Sequence, residues 1–264
     1  MFKRQHHQRL ASVLDALNNQ LLFENHCYFG GGTAITLLYG EFRQSVDIDF
    51  LVSDLVSYRN LRQLLTGPEG INAIRKSEAT ALKQQKEIRA DQYGLRTTLL
   101  VDNNPIKFEI ILEGRITLEM PGKLDQICGI STLTRLDMAT SKLLANADRW
   151  ADASVFSRDV IDLAMMSPSM ELLNTAISKA QIAYGNAIVR DLNKAIEKLT
   201  TRDDWLDRCV LAMDIETPKA LIWKNLQRLQ QHIKPDVLPW RIKTNPYCYA
   251  TAQQLTCNHL SSTG

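Results

Sequence analysis

"FGGGTAITLLYGEFRQSVDIDFLV", Phe29 to Val52, is the stretch on which the reading of this 264-residue chain turns. Three glycines open an apolar helical run, and two aspartates one residue apart interrupt an apolar strand. The glycines read as a turn, Thr33 to Tyr39 as a short buried helix, and Val46 to Val52 as a strand. Residues i and i+2 of a strand share a face about 6.6 Å apart. Asp47 and Asp49 therefore point together, while Val46, Ile48 and Phe50 are expected in the core. Two carboxylates that close repel each other unless a cation is shared between them. A hard divalent ion such as Mg²⁺ removes that cost, because it takes oxygen ligands. Gly31 and Gly32 leave backbone N–H groups open at the positive end of a helix, which suits phosphate oxygens. The spacing is neither the dinucleotide G-x-G-x-x-G pattern nor a P-loop with its lysine.

A third acid lies in "IKFEIIL", where Phe108 and Ile110 face one way and Lys107, Glu109 and Ile111 the other. Glu109 is an acid inside an otherwise apolar strand, which is expensive without a partner. If this strand lies beside the first, Glu109 joins Asp47 and Asp49 in a three-carboxylate cluster able to hold two metals about 3.5–4 Å apart.

Outward from these motifs, Leu10, Val13, Leu14, Leu17 and Leu21 predict one amphipathic helix over residues 5–24. "CYF" predicts a short strand, and Ser57 to Leu65 a helix broken by "TGPEG". "GLRTTLLV", the turn "DNNP" and "IKFEIILEG" predict a β-hairpin, with another short strand near Arg115 to Leu118. Beyond Thr132 the pattern is helical almost to the end. Strands followed by helices favour an α+β class over alternating α/β. The expected division is residues 1–125 as a mixed-sheet core with an N-terminal helix, and 126–264 as a helical domain with a polar tail from Pro235. No internal repeat is visible.

Composition narrows the function classes. At 45% hydrophobic and 23% charged the chain is ordinary globular protein. A formal net charge of +2 means that any nucleic-acid contact must rest on a local basic patch. The five cysteines are scattered with no C-x-x-C pair, so no disulfide framework is expected. Cys248, Cys257 and His259 lack a fourth ligand for structural zinc. The opening residues carry no apolar segment of the signal-peptide kind, and no apolar run reaches about 18 residues. A cytoplasmic protein without membrane contact is expected.

The glycines opening a helix, then "SVDIDF" on a strand, resemble the nucleotidyltransferase fold, and "GGTAITLLYGEFRQSVDIDF" is most similar to the AbiEii/AbiGii toxin-like nucleotidyltransferases. In that family a downstream strand supplies a third acid, matched by Glu109. A helix then carries a lysine and an arginine, followed by R-D-x-x-D-L. Here "ATSKLLANADRW" and "SRDVIDLAMM" place Lys142, Arg149, Arg158, Asp159 and Asp162 at the matching positions. The resemblance covers roughly residues 28–166. A glutamate stands where many nucleotidyltransferases use aspartate.

This resemblance implies an NTP-dependent transferase that moves a nucleoside monophosphate to an acceptor hydroxyl. Asp47, Asp49 and Glu109 would bind two Mg²⁺, and Glu109 would take the proton of the attacking hydroxyl. Gly31, Gly32, Thr33, Ser45, Lys142, Arg149 and Arg158 would hold the nucleotide, ATP being one candidate. It also implies a toxin–antitoxin or phage-defence setting, with a cognate antitoxin protein as partner and tRNA or another RNA as acceptor. From the residues alone, Lys142 and Arg149 share a helix face, and Arg158 and Asp162 are spaced i, i+4, which an internal ion pair explains equally well. Lys219, Lys224, Arg228, Lys234, Arg241 and Lys243 offer a basic stretch for RNA, with Trp223, Trp240, Tyr247 and Tyr249 available to stack. A protein hydroxyl or a small molecule such as an aminoglycoside is the alternative acceptor. A non-catalytic nucleotide- or partner-binding domain is the alternative class.

Overall fold

The computed structural model describes residues 2–233. The predicted first helix is two. Helix α1 (Gln5–Ala16) stops where Leu17 becomes extended, and α2 (Asn19–Glu24) restarts with Asn18 accepting the Leu21 N–H as its cap. The break is tertiary in origin, because the Asn18 N–H donates to the Ile74 carbonyl. Leu10, Val13, Leu14 and Leu17 remain fully buried, so the apolar stripe was real and only its continuity was not.

Five strands form one sheet: β1 (Tyr28–Phe29), β2 (Ile48–Val52), β3 (Arg89–Ala90), β4 (Gly94–Val101) and β5 (Asn104–Leu112), in the order β1-β2-β5-β4-β3. Strands β4 and β5 make the predicted hairpin. Asp102 and Asn103 at its tip both adopt positive φ (48° and 61°), as a tight hairpin turn demands. Strand β2 runs parallel to β5 with Asp49 opposite Glu109. Phe29, Phe50 and Phe108 pack in a row beneath the sheet, with ring centroids 5.5 and 5.6 Å apart. Val46 lies outside the strand and is 44% exposed, so it is not a core residue; the chain becomes extended too late for alternation to reach it. The strand expected near Arg115 to Leu118 is irregular backbone that tucks Ile116 and Leu118 inward. A small ladder, β6 (Gln126–Ile127) with β7 (Ile130–Ser131), precedes the helices.

Helix α3 (Gly31–Leu38) includes the glycines in its first turn, and α4 (Leu55–Leu65) is capped by Asp54. The helical part comprises α5 (Arg135–Arg149), α6 (Arg158–Met165), α7 (Met170–Tyr184), α8 (Ala187–Thr201), α9 (Trp205–Ala212) and α10 (Lys219–His232). Helix α5 is central, packing on α6, α7 and α8 and touching α3. The loop after α9 returns to the link between α3 and β2: the Gln44 N–H donates to the Met213 carbonyl, and the Glu216 N–H to that of Phe42. Both parts therefore border one cleft. Among the described residues no helix is long and apolar enough to cross a membrane.

Candidate active site

The cleft has a volume of about 570 Å³, and its walls come from α3, β2, β5, α5 and the entry to α6. Gly31 sits at φ +67°, where a side chain is strained, and a Cβ there would lie 2.5 Å from Asp49 Oδ2. A Cβ on Gly32 would collide with the Arg43 guanidinium. Glycine is thus required twice, once for an acid and once for a cation to approach the backbone. The first N–H groups of α3 have no intrahelical acceptor and open toward this space.

Asp47, Asp49 and Glu109 all line the cleft. Neither Asp47 nor Asp49 has a cationic side chain in ion-pair contact among the described residues. Glu109 does: Arg96 Nε lies 2.9 Å from one oxygen and Lys107 Nζ 2.7 Å from the other. The expected three-carboxylate cluster is therefore a pair of bare acids beside a third whose oxygens are already paired. Among the described residues no group of three His, Cys, Asp or Glu is closed into a metal cage. The donor chemistry of Asp47 and Asp49 still fits a hard divalent ion, because both offer unpaired carboxylate oxygen in a half-buried site. Glu109 can join them through the lone pairs its two partners leave free, or by releasing Lys107, the more exposed of the two.

Burial, and then repulsion from Asp47 and Glu109, pushes the Asp49 carboxyl up to about 6. In metal-free protein this charge opposes folding. The penalty is complete above the raised folded-state pKa and fades as pH falls through it toward the ordinary carboxylate range. Asp49→Asn is therefore expected to melt above the wild type in EDTA at pH ~8, with the gap closing by about pH 4–5. A gap independent of pH would contradict the crowding.

Below the acids lies a buried ion network. Asp162 accepts from Arg43 Nε (2.7 Å) and Nη2 (2.9 Å) and pairs with Lys142 Nζ (2.7 Å). Asp159 receives Lys142 Nζ (3.1 Å), Arg149 Nε (2.7 Å) and Arg149 Nη2 (3.0 Å). Burial would raise both aspartates, yet Arg43 and Lys142 hold Asp162 below its usual range, and Lys142 and Arg149 do the same for Asp159. The i, i+4 pair of Arg158 with Asp162 does not form. Arg158 is exposed on the cleft wall, and Asp162 turns inward. Asp148, next to Arg149 in sequence, pairs with Arg115 and accepts from the Tyr184 hydroxyl.

Sequence reasoning missed Arg43, whose partner is 119 residues away, and His7. The buried His7 ring accepts the Ser45 N–H at Nε2 (3.2 Å), which fixes the Nδ1 proton toward Glu41 (2.8 Å). Thr33 Oγ1 donates to the Asp47 carbonyl (2.5 Å), so the Ser45 hydroxyl must donate to Thr33 (2.7 Å). Ser45 and Thr33 thus tie α3 to the segment carrying the acids, and their hydroxyl protons are committed there. Of the basic stretch expected for RNA, Lys219 pairs with Asp207 and Arg228 donates to Ser167. Neither these nor Lys224 lines the cleft. Lys234, Arg241, Lys243, Trp240, Tyr247, Tyr249, Cys248, Cys257 and His259 lie outside the described residues.

A family model described as "Nucleotidyl transferase AbiEii toxin, Type IV TA system" matches residues 12–236. The chain belongs to that family. This AbiEii chain is accordingly an NTP-dependent nucleotidyltransferase toxin of a type IV toxin–antitoxin system, a family that generally uses a divalent metal. Among solved structures, a candidate nucleotidyltransferase from H. pylori aligns at 18% identity over 86% of this chain and 93% of its own, with a TM-score of 0.46. JHP933 from Helicobacter pylori aligns at 17% identity over 88% and 97%, with a TM-score of 0.41. No curated protein matches the chain.

Proposed function

We propose that this AbiEii chain moves a nucleoside monophosphate from an NTP to a hydroxyl of an RNA acceptor, with Asp47 and Asp49 holding Mg²⁺. The observation that carries this reading is two unpaired aspartates facing a glycine-opened helix, above a buried network of three cations and two anions. A divalent ion bound there supplies charge stabilisation to the attacking and leaving oxygens. The chain's own residues do the rest. The first N–H groups of α3, from Gly31 to Thr33, receive phosphate oxygens. Lys142 has three donors, two of them engaged by aspartates, which leaves one to reach into the cleft. The odd positive charge of the network favours an anionic leaving group above it. Arg158, exposed on the same wall, contacts the triphosphate, and Arg149 holds Asp159 in place. Glu109, once Lys107 moves aside, accepts the acceptor hydroxyl's proton or completes the ligand set.

In a cell this activity would serve phage defence and be restrained by a cognate antitoxin. The test is incubation with each labelled NTP and Mg²⁺, offering total tRNA, purified protein or an aminoglycoside as acceptor. Label on RNA is the expected result. Label on protein or drug alone would overturn the acceptor, and no label under any pairing would overturn the reaction.

A further inference from the structure

Phe156 and Ser157, on the cleft side of α6, are consecutive non-glycine residues at φ +51° and +49°. Each left-handed residue of this kind carries a backbone penalty and persists only where its surroundings enforce it. Trp205 does the enforcing. Its Nε1–H donates to the buried Ser157 hydroxyl (2.9 Å), and its indole stacks on the Phe156 ring at 6.3 Å and 14°. Trp205 is fully covered, whereas Phe156 is half-buried and lines the cleft beside Arg149 and Arg158. One aromatic is thus fixed from behind and presented to the site.

Cations gather on the same indole. Lys198 Nζ lies 4.5 Å from its centroid, and the Arg202 and Arg208 guanidiniums 5.1 and 5.3 Å. Lys194 lies over Trp150 at 5.1 Å. Lys194, Lys198 and Arg202 are spaced i, i+4, i+8 from α8 into its C-cap, about 12 Å of helix. None of these four, nor Arg158, makes an ion pair among the described residues, although Asp152, Asp203 and Asp204 are near in sequence or space. Cations crowded on the indole behind a presented ring match a single strand: phosphates along the cations, which lie outside the cleft lining, and a base on the open face of Phe156 inside it. A duplex keeps every base paired and offers only the faces of its end pairs, with no unpaired base to lay on the ring. The row is also longer than one triphosphate needs.

We propose that Phe156, backed by the Trp205 indole on which Lys198, Arg202 and Arg208 gather, is the platform on which an unpaired terminal nucleotide of the RNA acceptor docks. The proposal rests on the RNA-acceptor reading above, but its test requires no transfer. Fluorescent single-stranded RNA of about a dozen nucleotides, and the same sequence as a blunt duplex, are titrated without NTP across a salt series. The proteins are wild type, Phe156→Ala, Phe156→Tyr and the double variant Arg202→Glu/Arg208→Glu, with binding of a fluorescent NTP followed in parallel. Wild type should prefer the single strand. Phe156→Ala should weaken it about tenfold and Phe156→Tyr less than about twofold. The double variant should weaken it at least about tenfold and flatten the salt dependence by about 1.4 in log–log slope. NTP binding should be unchanged in all of them. Equal binding of duplex, unaltered RNA binding by Phe156→Ala and the double variant, or loss of NTP binding in place of RNA binding would each overturn the platform. So would an acidic peptide that displaces the RNA at equal concentration, since that would assign the face to a protein partner. If the platform binds RNA while no acceptor is ever labelled, the transfer reading fails and this one stands.

Discussion

Asp49→Asn is expected to reduce nucleotide transfer about a hundred- to a thousandfold while leaving the fold intact, in the range seen when preorganised charge at a transition state is removed. The side chain is isosteric, so the approach of Gly31 to position 49 is preserved. What is lost is one of the two carboxylates that line the cleft without a cationic partner among the described residues, and with it the charge that holds a divalent ion against the phosphates. The loss should fall on kcat more than on KM, because the glycine turn and the cations of the network still bind the nucleotide. Single-turnover labelling checks this directly. A variant retaining even a tenth of wild-type transfer would mean that the ion, if used, is held elsewhere.

Asp162→Ala should be the most damaging single change to stability, costing about 3–5 kcal/mol and lowering Tm by roughly 10 °C. Asp162 is completely buried and serves Arg43 and Lys142 together, both themselves buried. Removing it strands the desolvated Arg43 and leaves Lys142 with Asp159 as its one counter-charge. Asp159→Ala should cost less, because one of its partners, Arg149, is 35% exposed and can turn to water. Adding Arg43→Met to Asp162→Ala should recover part of the loss, since it removes one stranded charge. Thermal unfolding of the four proteins gives the ranking, and equal melting for Asp159→Ala and Asp162→Ala would contradict it.

What could be read in advance followed local periodicity. Alternation in "IKFEII" put Glu109 on the face opposite Phe108 and Ile110, and the structure buries those two residues in the core. The hairpin was legible because Asp-Asn is a turn sequence. The pairing that matters most, β2 parallel to β5, depends on which strands become neighbours, and alternation is silent about that. Arg43 sits in an aperiodic link, "EFRQS", and its meaning comes from Asp162 far along the chain. His7 occupies an apolar position of α1, where any buried residue would satisfy the pattern; only the Ser45 N–H explains why it is histidine. Lys142 was placed on the right helix, but its two aspartate partners could not be known before α5 and α6 packed. The strand expected near Arg115 failed for a related reason: its apolar residues anchor a loop against Ser53, whose hydroxyl accepts the Leu118 N–H.

The two unpaired aspartates, on this reading, exist to share a divalent ion. Crystals grown with Mn²⁺ and a non-hydrolysable NTP analogue test it through the anomalous signal of the metal. A peak in direct contact with both the Asp47 and Asp49 carboxylates and with the analogue's phosphates is expected. A peak bound elsewhere in the cleft, or phosphates seated there with those two carboxylates left bare, would contradict it.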